Sequence, residues 1–163
     1  MCFRPDTQAL ALENVNLYVM RHVGVRALFL DADNTVARWN SHEISAPVRA
    51  WVQAAKDAGF AVMVVSNNHA QRLATLSREL EINCMPKMRK PLPFRLRRLA
   101  RSLSLKPNQC AMIGDQILTD VLAGNLAGMH TVLLQPIDPS AEFAGTRINR
   151  KLEHVVKKLF KII

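Results

Sequence analysis

An α/β fold built on a mainly parallel sheet, covered by helices on both faces as a three-layer sandwich, is predicted by three features of this chain. Apolar runs of strand length (Val25–Leu30, Ala61–Val65, Cys110–Ile113 and Thr131–Leu134) alternate with stretches whose apolar residues recur at helical spacing. The first three runs stop on polar or small residues: Asp31 and Asp33, then Ser66 and Asn67, then Gly114 and Asp115. Between successive runs there is room for a helical crossover, which parallel strands require and which is right-handed.

Taken in order, Met1 to Pro5 reads as a loose start and Gln8 to His22 as a short helix stopped by Gly24. Val25–Leu30, interrupted only by Arg26, is the first strand and sits centrally. Ser45 can cap a helix whose first turn takes Pro47 and whose buried stripe is Val48, Trp51, Val52 and Ala55, with Gly59 beyond it. Ala61–Val65 is the second strand, and Leu73, Leu76 and Leu80 mark the next helix. Ile82–Met85 is a short strand, and Pro86–Pro93 a basic, proline-punctuated turn. Leu96, Leu99, Ala100 and Leu103 form a third helix whose outer face carries Arg95, Arg97, Arg98 and Arg101. Cys110–Ile113 is followed by a helix through Leu118, Val121, Leu122 and Leu126 that Gly128 ends, and Thr131–Leu134 is the last strand. Beyond the Gln135–Ser140 link, an amphipathic helix is expected over about 145–163. From Arg147 to Ile163 it carries six cations against Glu153, about +5 of the chain's net +9.

At 163 residues, 49% hydrophobic and 21% charged, the chain has the size and composition of one globular domain spanning 1–163. Cys2, Cys84 and Cys110 are widely spaced and form no CxxC pair, which supports neither a thiolate zinc site nor a disulfide framework. There is no apolar stretch of transmembrane length and no signal-peptide pattern, so the expected compartment is the cytoplasm. The charge of +9 favours anionic partners: phosphate esters, nucleic acid or an anionic membrane surface, to which the tail Arg147–Ile163 could attach peripherally. Aromatics at 6%, with no basic-aromatic interleaving, argue against nucleic acid.

The stretch Asp31-Ala32-Asp33-Asn34-Thr35 is the centre of the functional reading. An Asx turn would use the same residue types. Two carboxylates at the end of a buried strand, however, call for a cation to offset their desolvation. Ligands of open parallel sheets bind beyond the carboxyl ends of the strands, where Asp31, Asp33, Ser66, Asn67 and Asp115 collect and Lys90 can reach. Carboxylates from two strands can hold Mg²⁺, Asp31 can attack phosphorus, and Asp33 can pass a proton to the leaving oxygen. Ser66 and the backbone amides around Asn67 can hold phosphoryl oxygens.

Asp31 to Val36, Ser66 after its valine-rich run, Lys90-Pro91, and Gly114-Asp115 with Asp120 resemble motifs I to IV of the haloacid dehalogenase (HAD) superfamily. The strings Val65-Ser66-Asn67-Asn68, Arg89-Lys90-Pro91-Leu92 and the run from Gly114 to Asn125 are similar to the YqeG-like subclass IIIA phosphatases. The resemblance implies a HAD-like Rossmannoid fold and a Mg²⁺-dependent phosphomonoester phosphatase that forms a phospho-aspartate. Asp31 would be its nucleophile, Asp33 its acid/base, Ser66 its phosphoryl contact, and Lys90 would steady the intermediate. It further implies Asp31, the Asp33 carbonyl and Asp115 as metal ligands, with Thr35 and Asp120 acting behind them or through water. One helix fits between Thr35 and Ala61 and one between Ser66 and Lys90, so no cap domain is expected and the site is open. Mitochondrial phosphatidylglycerophosphate phosphatases look like relatives, which makes that lipid a candidate substrate. The rival reading is a metal-binding regulatory or nucleic-acid-docking module; its receiver-like form does not need Asp33 with Asn34-Thr35, or Ser66 ahead of Lys90.

Overall fold

The computed structural model describes residues 2–39, 41 and 43–138. The expected tail helix, with Arg147–Ile163, lies outside the described residues. Six strands form one parallel sheet: β1 (Thr7–Ala9), β2 (Ala27–Leu30), β3 (Ala61–Val65), β4 (Asn83–Met85), β5 (Cys110–Gly114) and β6 (His130–Leu134), in the order β1-β6-β5-β2-β3-β4. The α-helices are α1 (Leu17–His22), α2 (Ala46–Asp57), α3 (Ala70–Leu80), α4 (Phe94–Ser102) and α5 (Leu122–Ala127).

The alternation of side chains along the strands builds two cores. Leu28 and Leu30 of β2, with Val62 and Val64 of β3, face a core shared with Val48, Trp51, Val52 and Ala55 of α2 and Leu73, Leu76 and Leu80 of α3. Phe29, Met63 and Val65 face the opposite way, onto Leu96, Leu99 and Ala100 of α4 and Ala123 and Ala127 of α5. The chain steps from β2 through α2 and α3 to β4 along one face, then returns through α4 and α5 along the other. The direction of strand order therefore reverses beside β2, where such sheets place their ligand crevice.

Local signals explain most boundaries. Ser45 Oγ accepts the Val48 N–H at 3.4 Å, and Pro47 lies in the first turn of α2. Gly128 ends α5 at φ +83°. Gly124 lets α5 lie on the sheet, because a Cβ there would fall 2.5 Å from Thr131 Cγ2 and 2.9 Å from Met112 Cβ.

Two expectations need correction. The segment Gln8–His22 is not one helix: its beginning belongs to β1, a 3₁₀ turn spans Leu12–Asn14, and only Leu17–His22 is α-helical. β1 is a three-residue edge strand with little apolar pattern of its own, and what holds it comes from 125 residues away. The Asp6 N–H donates to Thr131 O at 3.1 Å, and Asp6 Oδ2 accepts the Thr131 N–H at 2.8 Å. The helix expected through Leu118 instead begins as a π-helical turn, Ile117–Val121, and becomes α-helical at Leu122.

Gly124→Ala should lower stability by about 1–3 kcal/mol, the usual cost of forcing a methyl into a filled core. Urea unfolding measures it, and an unchanged midpoint would mean that α5 does not press on β5 and β6 as described.

Candidate active site

Every functional group is positioned by a strand end or by the turn that follows it. The Asp31 N–H donates to Ile113 O at 2.8 Å, extending the β2–β5 ladder by one residue and holding the carboxylate at the sheet edge, where Asp31 is 6% exposed. Lys90 arrives from the turn after β4. That turn is stitched to the end of β3: the Met88 N–H donates to Ser66 O at 2.9 Å and the Lys87 N–H to Asn68 O at 3.0 Å. The Asn67 side chain then clamps Lys90 by its backbone, accepting its N–H at 2.8 Å and donating to its carbonyl at 2.9 Å. The Lys90–Pro91 peptide is cis.

So held, the Lys90 ammonium is buried and makes three hydrogen bonds, to Asp31 Oδ1 at 2.7 Å, Asp120 Oδ1 at 2.7 Å and Val65 O at 3.1 Å. Burial alone would lower its pKa, but the charges of Asp120 and Asp31 and their hydrogen bonds outweigh this and hold it above the ordinary lysine range. Burial pushes the Asp31 carboxyl up to about 7, the Lys90 charge opposing this and the charges of Asp120 and Asp33 adding to it. Asp120, on the π-helical turn, spends its second oxygen on the Gln116 N–H at 3.1 Å. Its carboxylate fills the space over Gly114, where a Cβ would fall 2.3 Å from Oδ2.

Asp115 follows β5 and is 1% exposed, with the Thr35 hydroxyl 3.5 Å from its Oδ1. One oxygen each from Asp31, Asp115 and Asp120 lies within 4.8 Å of the others. Three buried carboxylates beside one ammonium leave a site short of positive charge, and hard oxygen donors at this spacing suit a divalent cation.

The structure thus brings Asp31, Lys90, Asp115, Asp120 and Thr35 into one cluster. Ser66, Asn67 and Asp33 stand on the same edge. Ser66 is buried and its Oγ accepts the Asn68 N–H at 3.1 Å, so its hydroxyl can still donate. Because the Asn67 side chain is committed to Lys90, what it can offer a phosphoryl group is its backbone N–H. Asn68 was not singled out by sequence reasoning, yet its side-chain amide donates to Asp33 Oδ2 and orients that carboxylate. The signal was present as the second asparagine of Ser66-Asn67-Asn68, indistinguishable there from a turn residue. A cavity of about 460 Å³ behind the Asn34–Arg38 turn, lined among others by Leu12, Val36, Val48 and Ile137, includes none of Asp31, Lys90, Asp115 or Asp120.

A parallel sheet whose central strand ends in this aspartate, lysine and aspartate cluster defines a phosphatase of the HAD type. Comparison with known proteins agrees. The HAD-hydrolase-like family model matches residues 87–157. The probable phosphatase YqeG of Bacillus subtilis is 34% identical over 98% of this chain and 92% of its own. Phosphatidylglycerophosphate phosphatase 1 of Arabidopsis thaliana is 24% identical over 94% of this chain, which spans 47% of that protein; its Chlamydomonas reinhardtii counterpart is 27% identical over 91%, with 59% spanned. Among solved structures, the 3-deoxy-D-manno-octulosonate 8-phosphate phosphatases of Haemophilus influenzae, in a cobalt-bound form, and of Moraxella catarrhalis, in complex with magnesium, phosphate and KDO, share the fold. Their TM-scores are 0.53 and 0.51 at 18% and 17% identity, covering 69% and 61% of this chain and 69% and 63% of theirs. The chain belongs to the YqeG family of HAD-type phosphatases and is a phosphoric monoester hydrolase.

Lys90→Met should destabilise the fold by about 3–5 kcal/mol, the cost of leaving buried charges uncompensated. Urea unfolding of the metal-free protein at neutral pH reports it, and a loss under about 1 kcal/mol would mean that the ammonium is not what holds Asp31 and Asp120 together.

Proposed function

We propose that this protein is a Mg²⁺-dependent phosphatase that hydrolyses a phosphomonoester through a phospho-aspartate on Asp31, residues 1–163 forming one capless HAD-type domain. The observation that carries the reading is the Lys90 ammonium held 2.7 Å from both Asp31 and Asp120, with Asp115 alongside. Asp31 Oδ1 is engaged by Lys90, and its second oxygen is assigned the attack on phosphorus. As the P–O bond to the alcohol breaks, the departing oxygen takes the Asp33 proton. Asp33, aligned by Asn68, then takes a proton from water as that water attacks the phospho-aspartate. The bond between phosphorus and Asp31 breaks, inorganic phosphate leaves and Asp31 is restored. The Ser66 hydroxyl and the Asn67 N–H hold the phosphoryl oxygens, and Lys90 balances the charge on Asp31 throughout.

Asp31, Asp115 and the Asp33 carbonyl would hold Mg²⁺, with Thr35 orienting Asp115 and Asp120 acting from behind through Lys90. The bound ion would neutralise charge on the transferring phosphoryl group. The choice of metal is supported by the hard-oxygen donor set and by the magnesium in the Moraxella catarrhalis structure. Phosphatidylglycerophosphate is the proposed substrate, supported by the names of the plant and algal relatives and by the net charge of +9. Peripheral attachment of a cytoplasmic protein to anionic membrane, with help from Arg147–Ile163, would accompany it; no described helix is long and apolar enough to cross a membrane.

Phosphate release should require Mg²⁺, stop with EDTA and return on adding the ion. Asp31→Asn should lower it by about 10³-fold or more in a protein that still folds, and retained activity would remove Asp31 as nucleophile. Comparing phosphatidylglycerophosphate vesicles with soluble phosphomonoesters tests the substrate. Release from soluble esters alone would discard the lipid and keep the chemistry.

A further inference from the structure

We infer that residues 87–98, the turn after β4 and the start of α4, form a docking surface that seats the open edge of the sheet on an anionic lipid bilayer. The purpose given to this surface rests on the phosphatase reading above, whereas the binding itself does not.

No acidic residue lies between Glu81 and Asp115, while Lys87, Arg89, Lys90, Arg95, Arg97, Arg98, Arg101 and Lys106 do. The backbone sorts these cations by direction. Lys87 and Arg89 both take left-handed conformations, φ +54° and +57°, and are exposed, whereas Met88 between them is buried in the core and Lys90 after them is buried in the site. The turn therefore points alternate residues outward and inward, with positive charge on its outer side next to the catalytic lysine. Arg98 is exposed one helical turn further on. Arg95 is exposed as well and reaches back to Lys87 O at 2.5 Å, bracing the turn against α4.

Two large apolar side chains stand among these cations, where no folding role accounts for them. Leu92 is 52% and Phe94 69% exposed, two and four residues beyond Lys90. A water-facing leucine and phenylalanine ringed by lysine and arginine suit one environment in particular. The apolar pair can enter the acyl boundary of a bilayer while the cations meet lipid phosphates. An acidic protein would satisfy the charges without calling for the apolar pair. A nucleic acid would call for stacking partners, and Phe94 is the sole aromatic residue from Ile82 to Gly114. Charge separates this patch from Leu10 and Ile137, which are also exposed beyond strand ends but share a cavity with Glu13, Arg38 and Glu43 rather than a ring of cations, and position separates it from Tyr18, Val19 and Val23 on and after α1. That group precedes β2 and so lies toward the entry edge of the sheet, where docking would turn the site away from the membrane. The 87–98 surface lies on the exit edge with Asp31.

The test uses the full-length protein with EDTA present, so that turnover plays no part, and sediments it with phosphatidylcholine vesicles with and without phosphatidylglycerol. Wild type should bind only the anionic vesicles, less so at high salt. Leu92→Ser/Phe94→Ser should bind at least about tenfold more weakly, because the cations alone give marginal attachment. With Mg²⁺ restored, the double variant should keep its activity on a soluble phosphomonoester. Equal vesicle binding by variant and wild type overturns the inference and leaves Arg147–Ile163 to account for attachment. So does loss of self-association or of RNA binding in the variant with vesicle binding unchanged. If wild type releases phosphate from no ester yet its vesicle binding still depends on Leu92 and Phe94, the docking surface stands and the phosphatase reading fails.

Discussion

The ion triad of Asp31, Lys90 and Asp120 is the constraint around which the rest of this molecule is arranged. An ammonium with a 2% exposed side chain is tolerable only if each of its protons is satisfied, and here two carboxylates and the Val65 carbonyl do so. That requirement reaches far along the chain. Residue 114 must be small because Asp120 lies over it, and the π-helical turn swings Asp120 there. Asn67 must spend its side chain on the Lys90 backbone. The turn after β4 must thread Met88 into the core so that Lys90 points inward. Four segments from four parts of the sequence thus meet on one nitrogen.

The triad also explains why the sheet is laid out as it is. β2 lies between β3 and β5, so its terminal aspartate is flanked by Ser66 on one side and Asp115 on the other. Reversal of strand order beside β2 opens the edge there while leaving all three strands buried on both faces. Their interiors can be wholly apolar, and chemistry is confined to the residues immediately after each run. A helix-covered parallel sheet thereby separates the part of the chain that provides stability from the part that provides reactivity.

The same separation decides how much could be read from sequence. Buried strands and amphipathic helices announce themselves by period, and β3, α2 and the Gly128 stop fell where their patterns put them. β1 did not, because a short edge strand with half-exposed residues has no pattern of its own and is held by Asp6 and Thr131 across the fold. The π-helical turn was equally invisible: its period differs from the α-helix over a single turn, and the apolar residues Ile117 and Val121 fit either. Within the site, Asp31, Ser66, Lys90 and Asp115 were legible because each follows a run or precedes a proline. Asp120 was legible only through the family resemblance, since nothing in its neighbours reveals that it is 1% exposed. The parts of Asn67 and Asn68 were hidden for a related reason. An asparagine after a strand suggests a turn, and only the fold shows that one clamps Lys90 and the other Asp33.

What remains is how a site with no cap domain among the described residues obtains discrimination. A cap domain encloses a small substrate and excludes water, and the described segments between β2 and β3 and between β3 and Lys90 hold only α2, α3 and β4. Specificity must then come from surfaces beside the opening rather than from a chamber above it. The turn that carries Lys90 is well suited to this, because the residues that anchor it inward, Met88 and Lys90, alternate with residues free to vary outward. One turn thus fixes the buried ammonium of Lys90 and, on its other side, presents Lys87 and Arg89 outward. Chemistry and address are coupled through a few residues of backbone, so the outward side chains of this turn can change while the buried triad stays intact.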